Sequence, residues 1–532
     1  MNPELSAQPS LLVGKGRLEI ATYKDPQIPN YQDNPLIEAL PKILTSEEAL
    51  TKLAHYPSYD PVQRTWPSHL RVHLIQSALQ FFAPLPVHLD LEQRFSRLIR
   101  TGYQARNPQR PSFWGNLNQG VMSLSQEGSV SHLGRSTANG FTIIGMSGVG
   151  KTVSVESILS LYPQVIIHNH YRNRDFTHQQ LVWLKLDCPF DGSIRGLCLN
   201  FFQAVDDLLG TQYYKNYQKG RPNVDALIPL MARVASLHCL GALVIDEIQH
   251  LSSAKSGGAS LMLNFFVQLV NTIGVPVILV GTYKAWSVLS GEFRSSRRGT
   301  GQGDLIWDRM ANDEIWQLFI ESLWRYQYVQ KLCPLTPTFS QVLYEVTQGI
   351  TDLAVKVYVL AQLRAITTGK EVITKAIIQS VARDSLRLVN PVLNALKTGM
   401  TQQLQGFEDV HPIELGTFFQ EAISTVQKVD YLNCLKASTT KSVDHNLLVA
   451  TSLEQQGEIT ESTSLAAAIP ETLPLKTSSP RRKITNKPQL ITRETANNAT
   501  TLIEIVTIGT AHQISGYEAL KLAGLIQPTT EY

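Results

Sequence analysis

A glycine-rich octapeptide, Gly145-Met146-Ser147-Gly148-Val149-Gly150-Lys151-Thr152, follows the apolar run Phe141-Thr142-Ile143-Ile144. The residues after it, Val153 to Leu161, can continue as a helix. A G-x-x-x-x-G-K-[ST] pattern set between a strand and a helix admits few folds. Its glycines let successive backbone N–H groups curl around phosphate at a helix N-terminus, where the dipole favours negative charge. The expected nucleotide contacts are therefore Gly145, Ser147, Gly148, Gly150, Lys151, Thr152 and Val153. Lys151 would reach the β- and γ-phosphates of ATP, and the Thr152 hydroxyl would hold Mg²⁺.

Apolar, β-branched runs recur downstream at Val165–Ile167, Leu181–Leu186, Ala242–Ile245 and Val275–Val280, with amphipathic stretches between them. Alternation of this kind predicts a parallel sheet covered by helices. Asp246 and Glu247 close the Ala242–Ile245 run, about 95 residues beyond Lys151. An acidic residue at a strand tip can hold Mg²⁺, and the next carboxylate is placed to polarise an attacking water. That pairing predicts an ATPase and not a passive binder. Thr282, at the end of the fourth run, is placed to meet the γ-phosphate or the water. Arg294, Arg297, Arg298 and Arg309 surround a glycine-rich segment after it. Arginines supplied in trans stabilise transferring phosphate, and Arg297 and Arg298 are the favoured pair. Such sharing requires head-to-tail assembly into rings or filaments.

The chain of 532 residues is too long for one ordinary core, and 43% hydrophobic with 17% charged residues is the balance of a folded protein. Apolar runs all fall short of the roughly 18 residues that span a bilayer, which predicts no membrane partner. Five dispersed cysteines fit a reducing, cytoplasmic setting without a disulfide framework or zinc site. A net charge of only +3 means that DNA binding would have to come from a local stripe. One candidate stripe is Arg94, Arg97, Arg100, Arg106 and Arg110, with Tyr103, Phe113 and Trp114 interleaved. Thr45 with Glu48 signals a capping box at a helix start.

The expected organisation is a mostly helical N-terminal extension over 1–120, contacting partner or DNA, and an ATPase core over 121–325. A helical lid over 326–400, a helical region over 401–450, and a linker with a partner-binding tail over 451–532 follow. Within that tail, 517–526 regains an amphipathic period suited to docking on a partner.

The phosphate loop, Leu243-Val244-Ile245-Asp246-Glu247-Ile248-Gln249-His250-Leu251, and Val275-Pro276-Val277-Ile278-Leu279-Val280-Gly281-Thr282 together resemble the TnsC group of AAA+ transposition regulators. The arginine-rich segment with Ile306-Trp307-Asp308-Arg309, and Arg100 to Pro108, add to that similarity, which extends to the shorter relative TniB. The resemblance implies an α/β AAA+ P-loop core with a helical lid, using ATP and Mg²⁺. It implies a homo-oligomer, a hexameric or heptameric ring or a filament, on double-stranded DNA. A target-selector protein and transposase subunits would be the protein partners, in a nucleoid-associated, cytoplasmic setting. The segment 189–196 is similar in placement to that family's DNA-facing insertion. Lys185, Ser193 and Arg195 are the candidates there, as backbone contacts that position without reading sequence. A departure is Asp352, in Gly349-Ile350-Thr351-Asp352, where such lids commonly carry an arginine; Lys356 is the possible substitute. A DNA helicase or remodelling ATPase, and a signalling P-loop NTPase acting on protein partners without DNA, stay open as alternatives.

Overall fold

The computed structural model describes residues 12–13, 16–111, 113, 115, 136–219, 222–254, 258–289, 301 and 303–398. Arg294, Arg297, Arg298, Trp114, the region 401–450 and the segment 517–526 lie outside them.

The main sheet has five parallel strands: β3 (Phe141–Gly145), β6 (Trp183–Asp187), β7 (Ala242–Asp246), β8 (Val277–Gly281) and β9 (Leu305–Trp307). They lie in the order β6-β7-β8-β3-β9. In β3, β7 and β8 every residue is buried, as the unbroken apolar runs require of strands covered on both faces. Register pairs Asp187 with Asp246 and Ile144 with Gly281, which brings the C-terminal ends of the central strands to one edge. Ligands of open α/β sheets bind at that edge.

A second sheet departs from the expected alternation. The run Val165–Ile167 does not join the main sheet: β4 (Val165–Tyr171) and β5 (Arg174–Leu181) form a hairpin. Arg172 and Asn173 turn it, both at positive φ. Its other neighbour is β2 (Gly16–Ile20), parallel to β4 and itself paired with β1 (Leu12–Val13), giving the order β1-β2-β4-β5. The run Leu181–Leu186 accordingly divides, with Leu181 ending β5 and Trp183 opening β6.

The N-terminal segment is built into the core. Thr45 caps the helix Ser46–Leu53 in a full capping box with Glu48. The helix Pro86–Gln104 buries Leu91, Phe95, Leu98, Ile99 and Tyr103. Phe95 packs edge-on against Phe141 of β3 at 5.5 Å, and the Tyr103 hydroxyl donates to the Cys239 carbonyl at 2.8 Å. This geometry corrects the reading of the arginine stripe. Arg100 and Arg106 face inward, 2% and 8% exposed. Arg100 donates to Ser96 and the Pro41 carbonyl; Arg106 donates to the Gly102 and Leu240 carbonyls and lies over the Tyr103 ring at 4.8 Å. They fasten loops to the helix and leave Arg97 and Arg110 as the exposed arginines of the stripe, with Arg94 half-buried.

Residues beyond 326 form helices over Pro337–Thr347, Thr351–Thr367, Lys375–Ser385 and Asn390–Thr398. One apolar cluster runs from Tyr31 and Leu36, through Phe141 and Ile158, to Tyr358 and Leu396. N-terminal segment, sheet and lid therefore share an interior. Arg71, 1% exposed, fastens them further with a two-pronged ion pair to Glu371, at 2.7 and 2.8 Å. Among the described residues no helix is long and apolar enough to cross a membrane.

Candidate nucleotide site

The phosphate loop leaves the buried end of β3 at Gly145, where a Cβ would sit 2.2 Å from the Trp307 carbonyl oxygen of β9. Only glycine lets the two strands approach so closely there. Gly148 and Gly150 stand at φ 83° and 99°, a backbone region that glycine adopts without strain. Gly150 is the N-cap of the helix Lys151–Leu159, so the loop and the helix N-terminus form the cradle expected for phosphate. Lys151 is buried, its ammonium donating to the Gly145 and Met146 carbonyls at 2.9 and 2.7 Å. Ser147 is part of the loop and half-buried, whereas the Val153 side chain is 54% exposed on the helix's outer face.

The other half of the site is the end of β7. The Thr152 hydroxyl donates to Asp246 Oδ2 at 2.8 Å, so the two expected Mg²⁺ ligands are already neighbours. Asp246 is 2% exposed, and its Oδ1 accepts from the Glu247 N–H at 2.9 Å. Glu247 is half-buried, with φ 54°. Thr282, just past β8, keeps its Oγ1 buried without a hydrogen-bond partner among the described residues. An orphaned hydroxyl of this kind is costly unless something else meets it. These residues fit a Mg²⁺-nucleotide: glycines for the phosphates, Lys151 for their charge, Thr152 and Asp246 for the metal, and an unspent donor at Thr282. Bound Mg²⁺ would offset phosphate charge during displacement.

Lys185, expected to face DNA, stands in β6, beside β7. Its ammonium contacts Glu156 at 3.1 Å, Asp187 at 3.2 Å and Asp246 at 3.4 Å. Burial pulls its pKa down, but the Asp246, Asp187 and Glu156 carboxylates outweigh that and hold it up at about 12. The side chain is thus an electrostatic partner of Asp246. Ser193 caps the helix Ile194–Leu209 by accepting from the Gly196 N–H, and Arg195 donates to the Pro222 carbonyl. All three have structural partners within the chain. What stands out on that loop is Phe190, 83% exposed.

The C-terminal helices border one side of the site. Asp352 N–H and Thr351 Oγ1 both donate to the Gly148 carbonyl, at 3.1 and 3.3 Å, so the first turn of the lid helix Thr351–Thr367 rests on the phosphate loop. Lys356 donates to Asp352 at 2.6 Å, which ties its ammonium to the carboxylate one turn back. Arg309 reaches Gln348 and the Leu396 carbonyl, a tether between the segment after β9 and the lid of the same chain.

Residues 134–289 match the family described as AAA domain, a span that takes in the loop, Asp246, Glu247 and Thr282. The matched stretch has the AAA-type P-loop fold, a parallel sheet flanked by helices. Among solved structures, Cdc6p from Pyrobaculum aerophilum is 13% identical, with 52% of this chain and 67% of that one covered and a TM-score of 0.34. The ORC1 protein of Aeropyrum pernix, solved in complex with DNA, is 14% identical, covering 63% and 88%, with a TM-score of 0.33. A point variant of RuvB from Thermotoga maritima is 12% identical, covering 57% and 86%, with a TM-score of 0.29. No curated protein matches the chain.

Gln249 is the site residue that sequence reasoning missed. It follows Glu247 by two positions in the mixed run Glu247-Ile248-Gln249-His250-Leu251-Ser252, where nothing in the sequence sets it apart from its polar neighbours.

Proposed function

We propose that this chain hydrolyses ATP, and that its nucleotide cycle drives assembly on duplex DNA in the service of transposition. The observation that carries the hydrolysis is the convergence of Lys151, Thr152, Asp246 and Glu247 at one edge of the sheet with a Thr282 hydroxyl that has no partner among the described residues. Lys151 binds phosphate charge, Thr152 and Asp246 hold Mg²⁺, Glu247 polarises the water and Thr282 meets the terminal phosphate. Arg297 and Arg298 remain the candidates for completing a neighbour's site. The finer reading, in which the oligomer links a target selector to transposase subunits, is supported by the TnsC-like motifs and their order along the chain.

DNA binding measured with and without ATP tests the reading. ATP should be needed, and Lys151→Ala should lose the ATP-dependent part; equal binding by that variant would sink it. Glu247→Gln should bind nucleotide and DNA but turn over slowly. Electron microscopy with DNA and a non-hydrolysable ATP analogue should show rings or filaments on the duplex.

A second reading is favoured by one observation: Lys185, Ser193 and Arg195 are each engaged within the chain. In it, the nucleotide state gates a protein partner without DNA. Crosslinking that finds no DNA contact on the chain would favour it.

A further inference from the structure

Gln249 is 1% exposed, and two of its contacts span the site. Its Nε2 donates to Glu247 Oε2, while its Oε1 accepts from the Thr282 N–H at 3.1 Å. One planar amide thus bridges the ends of β7 and β8, the strands that carry the water-polarising carboxylate and the phosphate-facing threonine. The surroundings are shaped to keep it there. A Cβ on Gly281 would come within 2.9 Å of Gln249 Oε1 and 2.7 Å of Ile248 Cγ2, so the glycine before Thr282 makes room for the amide. Glu247 holds φ 54°, a left-handed backbone unusual outside glycine that recurs at functional sites. Thr282 has its N–H committed to Gln249 while its buried Oγ1 has no partner among the described residues. A group that satisfies the hydroxyl must therefore bear on a residue already fastened to the amide.

We propose that Gln249 is a positioning residue that couples Thr282 to Glu247, so that engagement of the terminal phosphate at Thr282 sets the aim of the Glu247 carboxylate. This rests on the ATP-hydrolysis reading above. Its assigned role is indirect, through Glu247 and Thr282. Glutamine suits the task because one side chain donates and accepts in a fixed plane, with the length to join two strand ends.

The test is a kinetic split. Gln249→Met keeps the shape and removes both hydrogen bonds. Equilibrium binding of a fluorescent ATP analogue and KM should stay within about twofold, while kcat falls about tenfold. In a Glu247→Gln background the same change should cost nothing further, since its effect passes through that carboxylate. Gln249→Glu, which keeps the acceptor but sets a second carboxylate against Glu247, should be at least as slow. Should Gln249→Met fold poorly, Gly281→Ala crowds the same amide and should give the same loss confined to kcat. An unchanged kcat, or an equal loss in both backgrounds, overturns the coupling. If Glu247→Gln turns over as fast as the parent chain, the hydrolysis reading itself fails; if only Gln249→Met is fast, the coupling alone does.

Discussion

Replacing Arg71 with methionine should cost the fold about 3–5 kcal/mol, the loss expected when one partner of a buried ion pair is removed. Four hydrogen bonds set that scale. The guanidinium donates to the Trp66 carbonyl at 2.7 Å, to the Tyr328 carbonyl at 2.9 Å, and to both Glu371 oxygens. Glu371 also accepts from the Gln330 N–H at 3.2 Å and is 14% exposed in its side chain, so removing Arg71 strands a largely buried carboxylate and two carbonyls. At about 2 °C per kcal/mol for a domain of this size, the melting temperature should drop by about 6–10 °C. Urea unfolding should show an earlier midpoint with an unchanged slope. The double variant Arg71→Met with Glu371→Met should regain most of the loss, because replacing both charges by apolar groups is near neutral. A single-variant loss below about 1 kcal/mol, or a double variant no better than the single, would refute this account of the clasp.

Other outcomes follow from the site and core. Thr282→Val removes a buried hydroxyl that has no partner among the described residues, so it should leave stability unchanged or higher while slowing ATP turnover; a fall in melting temperature would mean that the hydroxyl is satisfied within the fold. Gly145→Ala drives a Cβ into the Trp307 carbonyl and should cost about 1–3 kcal/mol together with nucleotide affinity, measured by unfolding and by titration with a fluorescent ATP analogue. Burial pushes the His88 and His168 imidazoles down to about 4, below the value of about 6.5 in an unfolded chain. Above that value both states are neutral and the stability is fully present; between about 6.5 and 4 the unfolded chain gains protons that the fold does not, so stability falls with pH. A urea midpoint unchanged between about pH 7.5 and about pH 5 would show that the folded imidazoles accept protons.

The phosphate loop and the Asp246–Glu247 pair were legible because their chemistry demands particular residues next to one another in the chain. The Thr45 capping box was legible for the same local reason. The β4–β5 hairpin was not. Val165–Ile167 looks like any buried strand, but β5 is the polar sequence Arg-Asp-Phe-Thr-His-Gln-Gln-Leu, and the neighbour of β4 on its other side, β2, lies about 150 residues earlier. Strand β9 is three residues long and borrows its order from β3, so its own sequence carries little signal. Charge misled at Arg100 and Arg106, because an arginine with carbonyl partners can be buried and local sequence does not show where those carbonyls will be. The ion pairs of Lys185 were not legible for a related reason. Its place beside Asp246 comes from the pairing of Asp187 with Asp246 across two strands distant in sequence. Gln249 depends on Thr282, 33 residues away, and no pattern of spacing connects them.

The shared interior of N-terminal segment, sheet and lid bears on how such a chain can be rearranged. A part that hides its apolar face against two others cannot be moved to a new host alone, and the remainder would be left with a raw surface. Leu36, Phe95 and Tyr358 belong to one continuous packing, so a cut anywhere between Tyr31 and Phe113 would open the floor beneath the phosphate loop. Swapping the front segment between relatives would then succeed only if the lid travelled with it, and substitutions at facing positions should compensate in pairs across several hundred residues. The nucleotide loop and its lid would drift together, as one inherited piece.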